Sequence, residues 1–207
     1  SMDKIFSYFK KSEIRKLNPV LNEYISRKKV VTFVPLKYVD KLTFDMSSAG
    51  AGMIGNYTVC SFRMKGVGTF LPGKSSKPFI GKKGKLAFEE EVRLEMECGN
   101  ESLESVIDAL LKSHPYEEPA YEIYEFRKRA NKHIAVRCDL KKRMTLEELI
   151  YRFNNKVVIA DGFMGVKFSR ILFLDNIKIE DIADQLKFVK AEVAVTIGKK
   201  QNNISII

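Results

Sequence analysis

The stretch His114-Pro115-Tyr116-Glu117-Glu118-Pro119-Ala120-Tyr121 lies between a segment with helical periodicity and a segment typical of a strand. Proline lacks an amide hydrogen and biases the residue before it away from helical dihedral angles. The preceding helix is therefore expected to end near Ser113, and the chain is expected to continue in extended form. This stiffened junction holds an imidazole, two phenols and two carboxylates, so we expect a binding site or a tightly specified interface here.

The two segments before this junction predict a strand and a helix. Apolar and charged residues alternate strictly from Glu91 to Cys98, which is typical of a strand with one buried and one solvated face. Asn100 or Ser102 then caps a helix with acidic residues in its first turn. The apolar stripe of this helix consists of Leu103, Val106, Ile107, Leu110 and Leu111.

The middle of the chain, residues 29–127, predicts the βαββαβ order of a ferredoxin-like unit. Pro35 begins its first helix, and a glycine-rich turn ends that helix. Gly66 and Gly68 are interpreted as a tight reversal before a loop rich in Gly, Pro, Lys and Ser. The other strands of this unit are predicted over Val30–Val34, Asn56–Met64 and Tyr121–Phe126.

The flanking segments have different patterns. Residues 1–28 predict an N-terminal helical segment, in which Asn18-Pro19 separates two helices. Residues 128–207 predict a small α/β unit, because their continuous apolar runs indicate buried, mostly parallel strands. One helix of this unit begins with a capping box of Thr145 and Glu148. The fold class is therefore α+β.

The composition of the chain restricts its possible functions only broadly. The formal net charge is +10, which favours nucleic acid or an anionic ligand, although lysines on solvated faces give the same balance. The lysine-rich loop at residues 73–85 is the candidate contact for a small anionic ligand, or is simply a solvated loop. The 3 cysteines are widely spaced and indicate neither a disulfide framework nor a zinc site. Without a secretory signal or an apolar run of membrane-spanning length, we expect a cytoplasmic protein without membrane contact.

A dense set of motifs occurs in one order in the middle of the chain: Phe33-Val34-Pro35, Ala49-Gly-Ala-Gly-Met-Ile-Gly-Asn-Tyr57, Cys60-Ser61-Phe62, Gly66-x-Gly68-Thr69-Phe70, Pro78-x-Ile80-Gly81, Glu91, and His114 to Tyr121. This set resembles the YqfO-type insert domain of the Nif-three-like family. That domain is similar in fold to CutA and PII proteins, in which trimers are usual. The resemblance therefore implies a homo-oligomer, most simply a trimer whose subunits join their sheets edge to edge.

The metal ligands implied by this resemblance are missing. Full-length members of the family carry flanking lobes whose histidines and carboxylates hold a two-metal centre. Here Ala191–Thr196 resembles the strand before a metal-binding turn, but the turn that follows, through Asn203, lacks the family's Asp and His. A two-metal site needs several converging ligands, and this chain has 2 histidines. We therefore expect a truncated and degenerate metal-binding remainder that holds no cofactor.

Individual side chains in the middle unit allow more than one interpretation. His114 is interpreted as a structural histidine, with a proton carrier or a single metal ligand as the alternatives. Glu117 and Glu118 are adjacent, so in an extended chain they point to opposite faces and form no catalytic pair. Cys60 and Cys98 are both expected on strands, as buried small hydrophobic side chains.

Three functions remain as hypotheses. The first is a noncatalytic, oligomeric binding or regulatory module, and the missing metal ligands favour it. The second is a metal-dependent hydrolase of a nucleotide-like or phosphate-bearing substrate, as the family's GTP-cyclohydrolase-like label implies. The third is a nucleic-acid-associated protein, which only the charge supports. No catalytic residue is assigned, and the candidate ligand-binding or interface residues are Gly50, Gly52, Asn56, Tyr57, Cys60, His114, Tyr116, Glu117 and Tyr121.

Overall fold

The computed structural model describes residues 2–161 and 164–207. The chain divides into two compact units. Unit 1 comprises the chain up to Tyr24 together with Arg129–Ile207, and unit 2 comprises Ile25–Lys128. Two long strands, β1 (Ile14–Pro35) and β4 (Tyr121–Thr145), contribute residues to both units. Within the described residues, no helix has the length and apolar character that crossing a bilayer requires.

Unit 2 has the βαββαβ order, which confirms the predicted fold class. Along the chain, β1 is followed by helix α2, strands β2 and β3, helix α3 and strand β4. In the sheet, the order of these strands is β2-β3-β1-β4. β3 pairs antiparallel with both β1 and β2. The bounds are Val39–Ser48 for α2, Phe62–Phe70 for β2, Ala87–Cys98 for β3 and Leu103–Ser113 for α3.

The core of unit 2 lies between the two helices and one face of the sheet. The alternation predicted over Glu91–Cys98 is confirmed, because Val92, Leu94, Met96 and Cys98 are buried in this core. The apolar stripe of α3 contributes Val106, Ile107 and Leu110, whereas Leu111 is 45% exposed. The other face of β3 carries charged side chains, and this face holds the candidate site.

The course of β2 corrects the sequence prediction. A strand was expected over 56–64 with a reversal at Gly66 and Gly68, but β2 runs through both glycines. Gly68 is needed for space rather than for a turn. A Cβ atom at Gly68 would lie 1.7 Å from Oε1 of Glu91, whose side chain crosses from the neighbouring strand β3.

The N-terminal segment also differs from the prediction. Two helices were expected within residues 1–28, but the helix α1 covers only Met2–Ile5 and β1 begins at Ile14. Strand pairing overrides the helix-like spacing of the apolar residues, because β1 lies between β3 and β4 in the sheet. Pro19 lies inside this strand, and Leu21, two residues later, adopts a left-handed φ of 56°. This local irregularity is typical of a strand that accommodates a proline.

Unit 1 contains the predicted small α/β unit, but its sheet is mixed. β6 pairs parallel with β7, and β5 pairs parallel with β8, whereas β4 with β6 and β7 with β8 are antiparallel. The predicted capping box of Thr145 and Glu148 is confirmed at the start of α4. A 3-10 segment, Ile179–Gln185, precedes the short helix α5. The bounds are Leu146–Arg152 for α4, Val157–Asp161 for β5, Lys167–Asp175 for β6, Leu186–Val189 for α5, Val193–Ile197 for β7 and Asn202–Ile206 for β8.

Candidate functional site

The proline-rich junction ends helix α3 as its sequence predicts. The last helical residue is Ser113, and His114 has extended backbone angles, φ −68° and ψ 135°. The chain then turns and enters β4 at Tyr121. The junction therefore places the side chains of residues 114–118 at one end of the sheet of unit 2.

His114 is held as a structural histidine. Its side chain is buried, and Nε2 lies 2.8 Å from the carbonyl oxygen of Phe33. A carbonyl only accepts, so Nε2 carries the proton, and Nδ1 accepts a hydrogen bond of 3.1 Å from the amide of Tyr116. Burial lowers the pKa of His114, which favours this neutral form. Both ring nitrogens are thus engaged, and neither is available to a metal ion.

A cavity of about 910 Å³ lies beside this junction in unit 2. Its floor is the helix-free face of the sheet, where β2 and β3 contribute Gly66, Gly68, Glu91 and Arg93. One wall is the loop from Leu71 to Ile80, which follows β2. Another wall is the junction itself, through Tyr116, Glu117, Glu118 and Ala120.

The cavity walls are joined by an aromatic cluster and a hydrogen bond. The ring of Tyr116 lies 5.0 Å from His114, 6.2 Å from Phe70 and 6.3 Å from Phe79, measured between ring centroids. Glu117 accepts a hydrogen bond of 3.0 Å from the backbone amide of Lys77. The loop wall is therefore attached to the junction by both ring packing and a polar contact.

Two polar groups beside these aromatic rings lack a partner that offsets the cost of their burial. The hydroxyl oxygen of Tyr116 is buried and has no hydrogen-bond partner among the described residues. It lies close enough to Glu91 for the two groups to interact electrostatically, but not in hydrogen-bond geometry. Burial raises the pKa of Tyr116 strongly, and the charges of Glu91 and Glu89 add to the effect. Burial also raises the pKa of Glu91, again with the charge of Glu89 contributing. Unpaired buried polar groups are costly, and a bound ligand can satisfy them.

The glycine segment predicted as part of the site forms a turn elsewhere in unit 2. Gly50 and Gly52 have φ values of 113° and 76°, and Cβ atoms there would lie 2.7 Å from side-chain atoms of Ser102 and Met96, respectively. The amide of Gly52 donates to the carbonyl of Glu97, and the amide of Cys60 donates to the carbonyl of Gly52. Conformation and close packing therefore explain these glycines.

The other predicted site residues lie in a turn, in the loop before β2 and at the start of β4. Asn56 and Tyr57 are exposed and belong to the turn between Ile54 and Tyr57. Cys60 lies in the loop before β2, which corrects its predicted place on a strand, whereas Cys98 is buried on β3 as expected. Tyr121 is 39% exposed at the start of β4.

Of the nine candidates, only Tyr116 and Glu117 line the cavity as the structure describes it. The sequence prediction did not select Phe33, Phe79, Glu91 or Arg93 as site residues. These residues come from three separate segments of the chain, since Glu91 and Arg93 both lie on β3. The sequence did contain one usable signal. Two glycines in one strand, beside a carboxylate on the neighbouring strand, leave space for the side chain of that carboxylate.

Metal ligands do not converge in the described part of the chain. Residues 2–161 and 164–207 contain no group of three or more His, Cys, Asp or Glu side chains placed to hold a metal ion. His133 is exposed on β4, far along the chain from His114 and in the other unit.

Comparison with known proteins identifies relatives over most of the chain. A Bacillus subtilis protein named GTP cyclohydrolase 1 type 2 homolog is 37% identical over 174 residues, which make up 81% of this chain and 46% of that protein. The chain spans less than half the length of the curated relatives it matches. No protein-family model matches it.

Solved structures of other bacterial proteins have similar folds. A Bacillus cereus protein related to NIF3 matches 99% of this chain and 57% of its own chain, with a TM-score of 0.48 and 26% identity. The Staphylococcus aureus protein SA1388 matches 93% of this chain and 53% of its own chain, with a TM-score of 0.53 and 19% identity. CutA proteins and the Bacillus subtilis protein GlnK are also among the matching folds.

Proposed function

This chain is a relative of the GTP cyclohydrolase 1 type 2 homologs of the NIF3 family, and we propose that its unit 2 is a noncatalytic module that binds a small molecule within a homo-oligomer. The observation that carries the proposal is the cavity of about 910 Å³ in which the Tyr116 hydroxyl is buried without a hydrogen-bond partner among the described residues. Ligand sites of roughly 300–1,000 Å³ that combine apolar walls with a few converging polar groups are typical of small-molecule binding.

The buried histidine and the two buried cysteines of the chain offer neither a free base nor a reactive nucleophile. A general base needs a free proton-accepting atom near the substrate, but both ring nitrogens of His114 are engaged. Burial raises the pKa of the Cys98 thiol, and it raises the pKa of the Cys138 thiol to about 12. Thiols with raised pKa values are poor nucleophiles, and free buried thiols persist in a reducing compartment such as the cytoplasm.

The alternative, a metal-dependent hydrolase, is suggested by the name of the relatives, and we propose that this chain alone does not form the two-metal centre. Such a centre requires several ligands that converge on two metal ions about 4 Å apart. Inductively coupled plasma mass spectrometry of the purified protein should find metal well below one equivalent. Near-stoichiometric zinc, iron or manganese would instead favour the hydrolase.

Homo-oligomer formation is supported by the exposed edge of unit 2. Strand β2 lies at the end of the strand order, and β3 is its one neighbour among the described strands. Phe62, Met64 and Val67 on β2 are 61%, 52% and 65% exposed. A long, exposed, apolar edge strand is a template for pairing with another chain. Multi-angle light scattering should give three times the chain mass of 23.7 kDa, and a strictly monomeric protein would contradict the trimer.

Two methionines allow the binding proposal to be tested in the intact protein. Met64 lines the cavity, whereas Met53 in the same unit does not, and the two side chains are similarly exposed, at 52% and 58%. With ¹³C-methyl-labelled methionine, NMR screening of a small-molecule fragment library should yield fragments that shift the Met64 signal and leave the Met53 signal unchanged. A library in which no fragment shifts Met64 more than Met53 would contradict a binding cavity.

A further inference from the structure

Glu91 differs from Glu95 and Glu97, which lie on the same face of strand β3. Glu95 pairs with Arg93 at 2.8 Å and with Lys29 at 3.4 Å. Glu97 pairs with Arg27 at 3.1 Å and with Lys128 at 2.8 Å. Within residues 2–161 and 164–207, no lysine, arginine or histidine lies within ion-pair distance of Glu91. A partly buried carboxylate without a cation is unusual in a chain whose net charge is +10.

The surroundings of Glu91 add no positive charge. The groups that influence its pKa are the Glu89 carboxylate and the Tyr116 hydroxyl, in addition to burial itself. The pKa of Glu91 is raised rather than lowered, because burial and the charge of Glu89 outweigh the contribution of the Tyr116 hydroxyl, which favours the charged form. The negative charge is therefore left for a bound molecule to neutralise.

The aromatic side chains around the cavity suit a cation. Phe33, Phe70, Phe79 and Tyr116 all line it. The negative face of an aromatic ring attracts cations within about 6 Å. The ring of Phe33 already shows this behaviour, because the Arg93 guanidinium lies 5.7 Å from its centroid.

The other charged side chains that line the cavity do not neutralise Glu91. The lining includes the cations Lys65, Lys77 and Arg93 and, besides Glu91, the carboxylates Glu117 and Glu118. Arg93 is committed to Glu95, and the side chains of Lys65 and Lys77 are exposed to solvent. The lysines of the loop therefore do not supply a counter-ion to Glu91.

We infer that the cavity takes an organic cation, with an ammonium or amidinium group beside Glu91 and an apolar or planar body between the aromatic side chains. This inference rests on the proposed function, in which the cavity binds a small molecule. It replaces the small anionic ligand that the lysine-rich loop suggests by a ligand of opposite charge.

Three isosteric probes test the charge of the ligand. Benzamidine is a planar cation, benzamide is its neutral counterpart and benzoate is its anionic counterpart. Titration of the methionine-labelled protein with each probe should show saturable shifts of the Met64 signal with benzamidine, at concentrations well below those needed for benzamide or benzoate. Raising the salt concentration should weaken benzamidine binding, because its charge contributes to affinity.

Matched variants test the role of Glu91. Glu91→Gln keeps the size of the side chain and removes its charge, and it should weaken benzamidine binding by roughly tenfold or more. Glu90→Gln is the control, because Glu90 is exposed and does not line the cavity; its affinity should stay within about twofold of the unmodified protein.

The outcomes separate this inference from the proposed function. Equal or tighter binding of benzamide or benzoate at Met64 overturns the cation inference and leaves the binding function standing. Unchanged benzamidine binding by Glu91→Gln, or no shift with benzamidine at all, also overturns the inference. The binding function itself fails only if the fragment library yields no ligand at Met64.

Discussion

The Nε2 atom of His114 lies 2.8 Å from the carbonyl oxygen of Phe33, so a single side chain joins the end of helix α3 to strand β1. Nδ1 of the same ring accepts from the amide of Tyr116, two residues later, so the imidazole also holds the turn that follows α3. The ring therefore fixes the junction that forms one wall of the cavity.

Replacement of this ring should destabilise unit 2. His114→Ala leaves the Phe33 carbonyl and the Tyr116 amide without their partners and removes a buried side chain. We expect the free energy of unfolding to fall by about 2–4 kcal/mol. Urea denaturation measures the change, and His133→Ala, at an exposed site, serves as the control with an effect within about 0.5 kcal/mol. Equal effects of the two variants would contradict the role of His114.

The stability of the protein should also depend on pH through His114. Burial lowers the pKa of the folded histidine, so the unfolded chain binds the proton more readily. This contribution is complete above the unfolded pKa of about 6.5 and is lost as the pH falls through the folded pKa. The loss of stability between pH 7.5 and pH 5.5 should be larger for the unmodified protein than for His114→Ala. His133→Ala should retain the full pH dependence, and its disappearance in that variant would be inconsistent with the assignment.

The glycine turn after α2 should respond to substitution according to packing. Gly52 and Gly55 both have positive φ, but a Cβ atom at Gly52 would lie 2.8 Å from the Cys60 carbonyl oxygen, whereas Gly55 has nothing within 4 Å. Gly55→Ala should cost about 1 kcal/mol from backbone strain alone. Gly52→Ala should cost about 2–4 kcal/mol, because the neighbouring backbone must also move. Thermal unfolding of the two variants provides the comparison, and a similar loss for both would argue against a packing role for Gly52.

The approach of Glu91 to Gly68 should appear as an energetic coupling. A Cβ atom at Gly68 would collide with the Glu91 carboxylate, so Gly68→Ala forces that flexible side chain to move. The cost of Gly68→Ala should fall by about 1 kcal/mol when Glu91→Ala is also present. Gly66→Ala is the matched control, since nothing lies within 4 Å of a Cβ atom there. Its cost should be the same with and without Glu91→Ala, and additivity at Gly68 would contradict the contact.

The part of the fold with local signals could be predicted from the sequence. The alternation in Glu91–Cys98, the apolar stripe of α3 and the prolines after Ser113 each act within a few residues, and the βαββαβ order followed from them. The first half of β1 lacked such a signal. Leu17, Leu21 and Tyr24 are spaced as in an amphipathic helix, and only pairing with distant strands determines their conformation.

The cavity could be predicted only through the junction that forms one of its walls. Tyr116 and Glu117 were recognisable because prolines fix the backbone around them. Phe33, Phe79 and Glu91 meet there through the register of three strands and the path of a loop, and neither is encoded in local periodicity. Glu91 also follows the same alternation as its ion-paired neighbours, so its lack of a cation became visible only in the structure.

The division of the chain into one continuous and one discontinuous unit has a consequence for synthesis on the ribosome. Unit 2 occupies an uninterrupted stretch, Ile25–Lys128, and can complete its core as soon as that stretch has emerged. The residues up to Tyr24 emerge before unit 2, yet their partners in unit 1 begin only at Arg129. This segment must therefore wait for its partners in unit 1 while the whole of unit 2 is translated, and a chaperone has the most to protect during that interval.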